Sequence, residues 1–174
     1  MHILRVGHLD PKTETLLIFD RDGTLNLDKG YSHRLDEAQL SPFAEKVKHV
    51  FERYSFAAAV ASNQSGINRG FFKIGSFEEF SLRIISVLDP HLEHFFCLVA
   101  CPHLPSENCK CRKPKTGMID QIIAVKQFSN VLLIGNSKSD ELTARNANLS
   151  YLDVNSPSAC RLLEDWLELN CDNK

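Results

Sequence analysis

The sequence lacks any apolar run long enough to cross a membrane, and it has almost no excess of charge of either sign. Its longest apolar stretches, residues 56–61 and 131–134, are far shorter than the roughly 18 residues that a bilayer requires. The 174 residues include 20 basic and 22 acidic side chains, giving a formal net charge of −2. No global positive field therefore attracts nucleic acid or an anionic membrane, and we expect neither partner.

The first ten residues also lack the order of a secretory signal, because Arg5, His8 and Asp10 interrupt any apolar stretch. We therefore expect a cytoplasmic protein. No internal repeat or low-complexity linker divides the sequence, and a chain of 174 residues with 43% hydrophobic residues can bury one core. These features predict a single domain over residues 1–174 and a monomer.

Short apolar runs that end in polar turns recur along the chain. They cover residues 16–19, 56–61, 95–100, 131–134 and 151–154. Segments with helical spacing of apolar residues lie between them or after them, starting near residues 42, 76, 118, 142 and 156. This alternation predicts an α/β fold with a Rossmann-like parallel sheet of five strands and helices on both faces. Ligands of such sheets bind beyond the carboxyl ends of the strands.

The first predicted strand ends in two carboxylates, Asp20 and Asp22. In an extended segment these side chains point to the same side and can face one reacting group. Like charges held close together raise each other's pKa or attract a cation, which suits a nucleophile beside a general acid and base. An ordinary Asp-rich turn, with Gly23 in a left-handed conformation, is the alternative.

Two further strand ends carry polar side chains. Ser62 offers a hydroxyl group on which a phosphate oxygen could rest, although a serine that caps a helix would look the same. Residues 135–140 offer oxygen ligands for a hard cation such as Mg²⁺, among them Asn136. Asp140 could be a ligand or a carboxylate in the first turn of a helix.

Four candidate zinc ligands lie within eleven positions of the sequence. They are Cys101, His103, Cys109 and Cys111. Three thiolates and an imidazole form a closed tetrahedral set, which is typical of structural Zn²⁺ because no position remains for substrate. Reduced buried cysteines and a disulfide are the alternatives. A bound Zn²⁺ would order a loop that leads directly into Arg112 and Lys113.

Residues 19–26, which read Phe-Asp-Arg-Asp-Gly-Thr-Leu-Asn, resemble the nucleophile signature of the haloacid dehalogenase superfamily of phosphohydrolases, and Ser62 and Lys113 match its later motifs. Segments 62–72 and 111–118 are similar to a subgroup that contains heptose bisphosphate phosphatases and histidinol-phosphate phosphatases. The resemblance extends from about residue 16 to about residue 154, and it implies no large cap domain and a zinc loop.

The resemblance also implies roles for individual residues. Asp20 would attack phosphorus to form an aspartyl phosphate, and Asp22 would protonate the leaving oxygen and then activate water. Ser62 and Lys113 would hold the phosphoryl group. Mg²⁺ would bridge it to the Asp20 carboxylate and the Asp22 backbone carbonyl, with Asn136 at the third ligand position. The substrate-binding positions would be Thr24, Asn26, Asn63, Arg69 and Arg112.

One position departs from the pattern, since the family's metal-ligand Asp is replaced by Asn136. An amide oxygen brings no negative charge, so we expect weaker Mg²⁺ binding, which Asp140 could offset directly or through water. The resemblance favours removal of the 7-phosphate of D-glycero-D-manno-heptose 1,7-bisphosphate as the function, and it would then imply a role in lipopolysaccharide synthesis. The alternatives are a histidinol-phosphate phosphatase, a catalytically impaired phosphometabolite-binding protein, and a zinc-stabilised interaction domain.

Overall fold

A computed structural model describes residues 1–172 and 174. The strands are β1 His2–Arg5, β2 Thr15–Phe19, β3 Ala57–Asn63, β4 Phe95–Cys101, β5 Asn130–Gly135 and β6 Ser150–Asp153. The helices are α1 Pro42–Val47, α2 Val50–Arg53, α3 Ile74–Leu88, α4 Gly117–Ile123, α5 Lys138–Asn146 and α6 Ala159–Asn170. Two 3₁₀ turns cover Leu35–Glu37 and Pro105–Glu107.

The strands form one six-stranded sheet in the order β1-β4-β3-β2-β5-β6. The five predicted strands are confirmed and run parallel to one another, but β1 pairs antiparallel with β4 and was not predicted. Half-buried and exposed residues alternate along β1, as in an edge strand, whereas β2 and β4 are buried throughout. Continuous apolar runs mark central strands, whereas a short edge strand with alternating exposure has no such run.

Helices cover both faces of the sheet, as predicted. One core cluster joins α1, α2, α3 and α6 to one face, with Phe19, Phe80 and Leu163 among its buried members. The other joins α4 and α5 to the opposite face through Met118, Ile119 and Ala144. Successive residues of β2 point alternately into these two clusters, so a buried central strand has no polar face.

Several helix boundaries differ from the prediction. The helix expected to start near residue 76 from a capping-box pattern at Ser76 begins earlier, because α3 starts at Ile74 and the Ser76 amide already donates to the Lys73 carbonyl. The helix expected from residue 42 is broken into α1 and α2. The last helix begins at Ala159 rather than beside Pro157. Across residues 1–172 and 174, none of the helices combines the length and apolar character needed to span a bilayer.

Candidate active site

The three polar strand ends meet at one edge of the sheet, because β3, β2 and β5 are neighbours in the sheet order. Ser62 lies within the end of β3 and is buried. Asp20 follows β2, and its backbone amide donates to the Ile134 carbonyl of β5 at 2.8 Å. Asn136 follows β5 directly. The fold therefore brings together side chains that are 116 positions apart at most in the sequence, from residue 20 to residue 136.

Three buried charged side chains, Asp20, Lys113 and Asp140, form a charge chain at the centre of this edge. The Lys113 ammonium lies 2.6 Å from Asp20 Oδ1 and 2.5 Å from Asp140 Oδ1. Lys113 is 4% exposed, Asp20 9% and Asp140 1%. Burial raises the pKa of Asp20 to about 6, while the adjacent Lys113 opposes the rise. Burial disfavours the charge on Lys113, but its two carboxylate neighbours raise its pKa overall. Lys113 therefore stands as a cation between two buried carboxyl groups.

Asp140 is held by the first turn of α5. Ser137 caps this helix, and its hydroxyl and backbone amide donate to Asp140 Oδ2 at 2.6 and 3.1 Å. Gly135 leaves the space that the carboxyl group fills, since an added Cβ there would lie 2.6 Å from Asp140 Cγ. The Asp140 carboxylate thus completes the capping box of α5 with Ser137 and also pairs with Lys113.

Arg21, which the sequence reading left without a role, is fully buried and fixes Asp22. Its Nη2 lies 2.8 and 3.0 Å from the two Asp22 carboxylate oxygens. The guanidinium carbon lies 5.0 and 4.9 Å from the ring centroids of Phe77 and Phe80 on α3, in the range of cation–π contact. Phe77 and Phe80 are far from Arg21 in sequence, so the pattern gave no signal for this contact.

Gln64 joins Asp22 to Ser62. Its Nε2 donates to Asp22 Oδ2 at 2.7 Å and to Ser62 Oγ at 2.8 Å. This residue was also missed as a site residue, although it stands two positions after Ser62. Asp22 and Ser62 thus share one donor, and that amide fixes their spacing.

The predicted substrate residues Thr24 and Asn26 are both fully buried beneath this edge. Asn26 Nδ2 donates to Asp22 Oδ1 at 3.2 Å and to the Leu27 carbonyl at 2.8 Å, so it stabilises the loop. Among the described residues, Thr24 Oγ1 and Asn26 Oδ1 meet no hydrogen-bond partner. Whether either contacts substrate stays a prediction.

Asn63, Arg69 and Arg112 have different surroundings. The Asn63 amide donates to the Lys113 carbonyl at 3.1 Å and accepts from the Lys113 amide at 3.0 Å, so it clamps the backbone of the central lysine. Arg112 Nη1 donates to the His103 carbonyl at 3.2 Å. Arg69 is exposed on the loop after β3. Their substrate contacts stay predictions.

Asn136 lies against the loop between Asp20 and Asp22. Its side chain occupies the space where a Cβ on Gly23 would stand, and Gly23 has a φ of +79° that favours glycine. The Asp20 carboxylate and the Asn136 amide oxygen are hard donors at adjacent strand ends, a set that fits Mg²⁺. The set carries one negative charge less than it would with aspartate at position 136.

The four zinc-ligand candidates form a compact cluster whose donor atoms all lie within 4.8 Å of one another. The three Sγ–Sγ distances are 3.4 to 3.6 Å, and His103 Nδ1 lies 3.3 Å from Cys111 Sγ and 3.5 Å from Cys101 Sγ. Zn–S bonds of about 2.3 Å and Zn–N bonds of about 2.0 Å in a tetrahedron would separate sulfurs by roughly 3.8 Å and S from N by roughly 3.5 Å. The cluster therefore fits Zn²⁺ with an expansion of a few tenths of an ångström.

The thiols of this cluster are free, so the disulfide alternative is not present in the structure. Burial raises the pKa of Cys101 to about 12. For Cys109, burial acts in the same direction, but hydrogen bonds from the Arg112 backbone and the neighbouring thiols lower the pKa to about 6. One thiolate is thus already available to a metal at neutral pH.

Comparison with known proteins adds independent findings. The family model described as polynucleotide kinase 3 phosphatase matches residues 15–140. The D-glycero-beta-D-manno-heptose-1,7-bisphosphate 7-phosphatase of Pseudomonas aeruginosa is 34% identical over 155 residues, covering 87% of this chain and 86% of that protein.

Two solved structures are similar to this one. A haloacid dehalogenase-like phosphatase from Mesorhizobium loti has a TM-score of 0.85 at 23% identity, covering 98% of this chain and 94% of that one, which supports the fold. D,D-heptose 1,7-bisphosphate phosphatase from B. bronchiseptica, complexed with magnesium and phosphate, has a TM-score of 0.66 at 26% identity, covering 80% and 79%. The chain is a phosphatase that belongs to the polynucleotide kinase 3 phosphatase family, within the haloacid dehalogenase superfamily.

Proposed function

We propose that this phosphatase removes the 7-phosphate of D-glycero-D-manno-heptose 1,7-bisphosphate through an aspartyl-phosphate intermediate. The observation that carries the chemistry is the buried Asp20–Lys113–Asp140 chain, with Asp22 held two residues from Asp20. The choice of substrate rests on the heptose bisphosphate phosphatases at about a third identity over most of the chain. A role in lipopolysaccharide synthesis follows from that choice of substrate.

Lys113 leaves one oxygen of Asp20 as the nucleophile. The ammonium pairs with Oδ1, so Oδ2 would attack phosphorus while the bond to the sugar oxygen breaks. Asp22 would donate a proton to that oxygen, and the same carboxylate would then take a proton from the water that hydrolyses the aspartyl phosphate. Lys113 and Ser62 would neutralise and orient the phosphoryl oxygens, since phosphoryl transfer depends mainly on positioning and charge.

Two metals complete the proposal. The Asp20 carboxylate, the Asp22 backbone carbonyl and Asn136 would hold Mg²⁺, which would supply positive charge to the transferring phosphoryl group. Cys101, His103, Cys109 and Cys111 would hold a structural Zn²⁺. Their loop leads into Arg112, which is bonded to His103, and into Lys113, which is bonded to Asn63. Zinc would therefore fix the position of the central lysine without touching substrate.

Asn136 favours a second candidate, a protein that binds the sugar phosphate with little turnover. An aspartate would add one negative charge to the Mg²⁺ ligands. An added attraction of about 1.4 kcal/mol would tighten Mg²⁺ binding about tenfold. We expect Asn136→Asp to lower the Mg²⁺ concentration for half-maximal activity about tenfold.

The test measures inorganic phosphate released from both anomers of the heptose bisphosphate and from histidinol phosphate, each titrated with Mg²⁺. Turnover of a heptose ester, with the Mg²⁺ requirement reduced in Asn136→Asp, supports the proposal. Asn148→Asp is the matched control, because Asn148 is exposed beyond the carboxyl end of α5 and its substitution introduces the same change of charge away from position 136. Phosphate release from histidinol phosphate alone would identify that ester as the substrate in place of the heptose bisphosphate. Binding without phosphate release would favour the second candidate.

A further inference from the structure

Two exposed aromatic rings stand on the loops that border the site. Tyr31 lies on the loop after β2, residues 26–34, and Phe71 on the loop after β3, residues 64–72. They are 45% and 55% exposed. Their ring centroids lie 4.7 Å apart at an interplanar angle of 77°, so the rings form a corner open to solvent. Neither ring belongs to the two core clusters of the described residues.

The backbone at Tyr31 is held in a costly conformation. Tyr31 has a φ of +52° directly after Gly30 at +75°. A bulky side chain in this left-handed region is rare and strained, and such residues cluster at functional sites. Gly66 provides the room for the ring, because a Cβ there would lie 2.7 Å from Tyr31 Cδ1. The placement of Tyr31 is thus built from two loops.

The bases of both loops touch the residues around Asp22. The Ser32 carbonyl, next to Tyr31, accepts a hydrogen bond from Arg21 Nη2 at 2.6 Å. Gln64, on the loop that carries Phe71, donates to Asp22. Since Asp22 is the proposed proton donor to the leaving oxygen, the aromatic corner borders the side on which the rest of the ester would emerge.

We propose that Tyr31 and Phe71 bind the apolar C–H face of the substrate's sugar ring and thereby set a preference for ring-bearing phosphate esters. The inference deepens the proposed function and rests on it. Aromatic rings supply a large rigid apolar surface, and small-ligand sites combine such surface with a few polar groups. Arg69 and Lys73 are exposed on either side of Phe71 and suit an anionic ligand.

The first experiment compares the heptose bisphosphate with acetyl phosphate, which has no ring. We expect Phe71→Ala to lower kcat/KM for the heptose bisphosphate, relative to kcat/KM for acetyl phosphate, about tenfold. The change should come mainly from a higher KM for the heptose ester. Phe71→Tyr retains a ring and should keep the ratio within about twofold. Val125→Ala is the matched control, because Val125 is an apolar residue of similar exposure that follows α4, away from the two loops. An equal loss for both substrates in Phe71→Ala overturns the proposal.

A second experiment does not depend on turnover of the heptose ester. Calorimetry on Asp20→Asn chains measures the affinity for mannose 6-phosphate and for inorganic phosphate, with and without Phe71→Ala. A weakening of about tenfold for mannose 6-phosphate alone supports the aromatic corner, even if the heptose ester is not hydrolysed and the proposed substrate fails. Unchanged affinity for mannose 6-phosphate overturns the corner, as does no preference of the parent chain for it over inorganic phosphate. A change of oligomeric state caused by Phe71→Ala, measured by sedimentation, would also overturn it, because the rings would then form a contact between copies of the chain.

Discussion

Replacing Lys113 by methionine removes the positive charge that stands between Asp20 and Asp140. The two carboxylates are nearly inaccessible to water, and the Lys113 Nζ contacts of 2.6 and 2.5 Å are lost together. Removing one partner of a buried ion pair typically destabilises a protein by about 3–5 kcal/mol, because the remaining charge is left uncompensated. We expect a loss of that size at pH 8, together with loss of phosphatase activity.

The loss should depend on pH in a defined direction. The Asp20 pKa already stands near 6 because of burial, and Lys113 is what holds it down. In the variant this pKa rises further, so the folded protein binds more protons than the unfolded chain between about pH 4 and the raised pKa. The stability of the variant therefore increases as pH falls, and its deficit relative to the unmodified chain shrinks from pH 8 to pH 5.

Urea unfolding measures this deficit, with the fluorescence of the single tryptophan, Trp166, as the signal. Lys115→Met is the control, since Lys115 is exposed and donates to Asn108, so we expect a change below about 1 kcal/mol. Adding Asp140→Asn to Lys113→Met removes one of the two carboxylates left without a partner and should recover part of the lost free energy of unfolding. A Lys113→Met deficit no larger than that of Lys115→Met, or one that is constant with pH, would refute the buried charge chain.

Two further predictions concern Arg21 and the cysteine cluster. Arg21→Met should lower the free energy of unfolding by about 3 kcal/mol or more, because Asp22 loses its bidentate partner and the two phenylalanine rings lose the cation. Urea unfolding measures this loss, with Arg83→Met at an exposed position as the control. A loss as small as that of the control would contradict the prediction. Cys109→Ser should reduce bound zinc well below the expected one ion per chain and lower Tm, as elemental analysis and calorimetry would show. Cys160→Ser should retain the zinc, and equal zinc content in both variants would rule out the cluster as the site.

The sequence predicts best what depends on neighbouring residues. The strands β2 and β4 are continuous apolar runs, and the four zinc-ligand candidates are close in sequence, so their assembly needed only one loop. The strand-end rule then placed Asp20, Ser62 and Asn136 at one edge without any knowledge of side-chain contacts.

Contacts between distant residues were not predictable in the same way. Arg21 stands between two aspartates in a turn, where a charged residue is usually solvated, yet α3 closes over it with two phenylalanine rings. The ring pair of Tyr31 and Phe71 depends on the space above Gly66 and on a left-handed backbone, neither of which an apolar pattern reveals. Edge strand β1 has a pattern too short and too polar to be distinguished from a loop.

The contacts of Asp140 bear on whether this residue can offset the charge that is missing at position 136. If this carboxylate were free, it could restore part of the charge that Asn136 fails to bring to the metal. Its Oδ1 is paired with Lys113, however, and its Oδ2 accepts from the hydroxyl and amide of Ser137. A direct bond from Oδ1 to Mg²⁺ would place the metal beside the Lys113 ammonium on the same oxygen, where the two cations repel each other. We therefore expect little direct compensation by Asp140, whereas compensation through a water molecule stays a prediction, and the charge at position 136 should control the Mg²⁺ requirement.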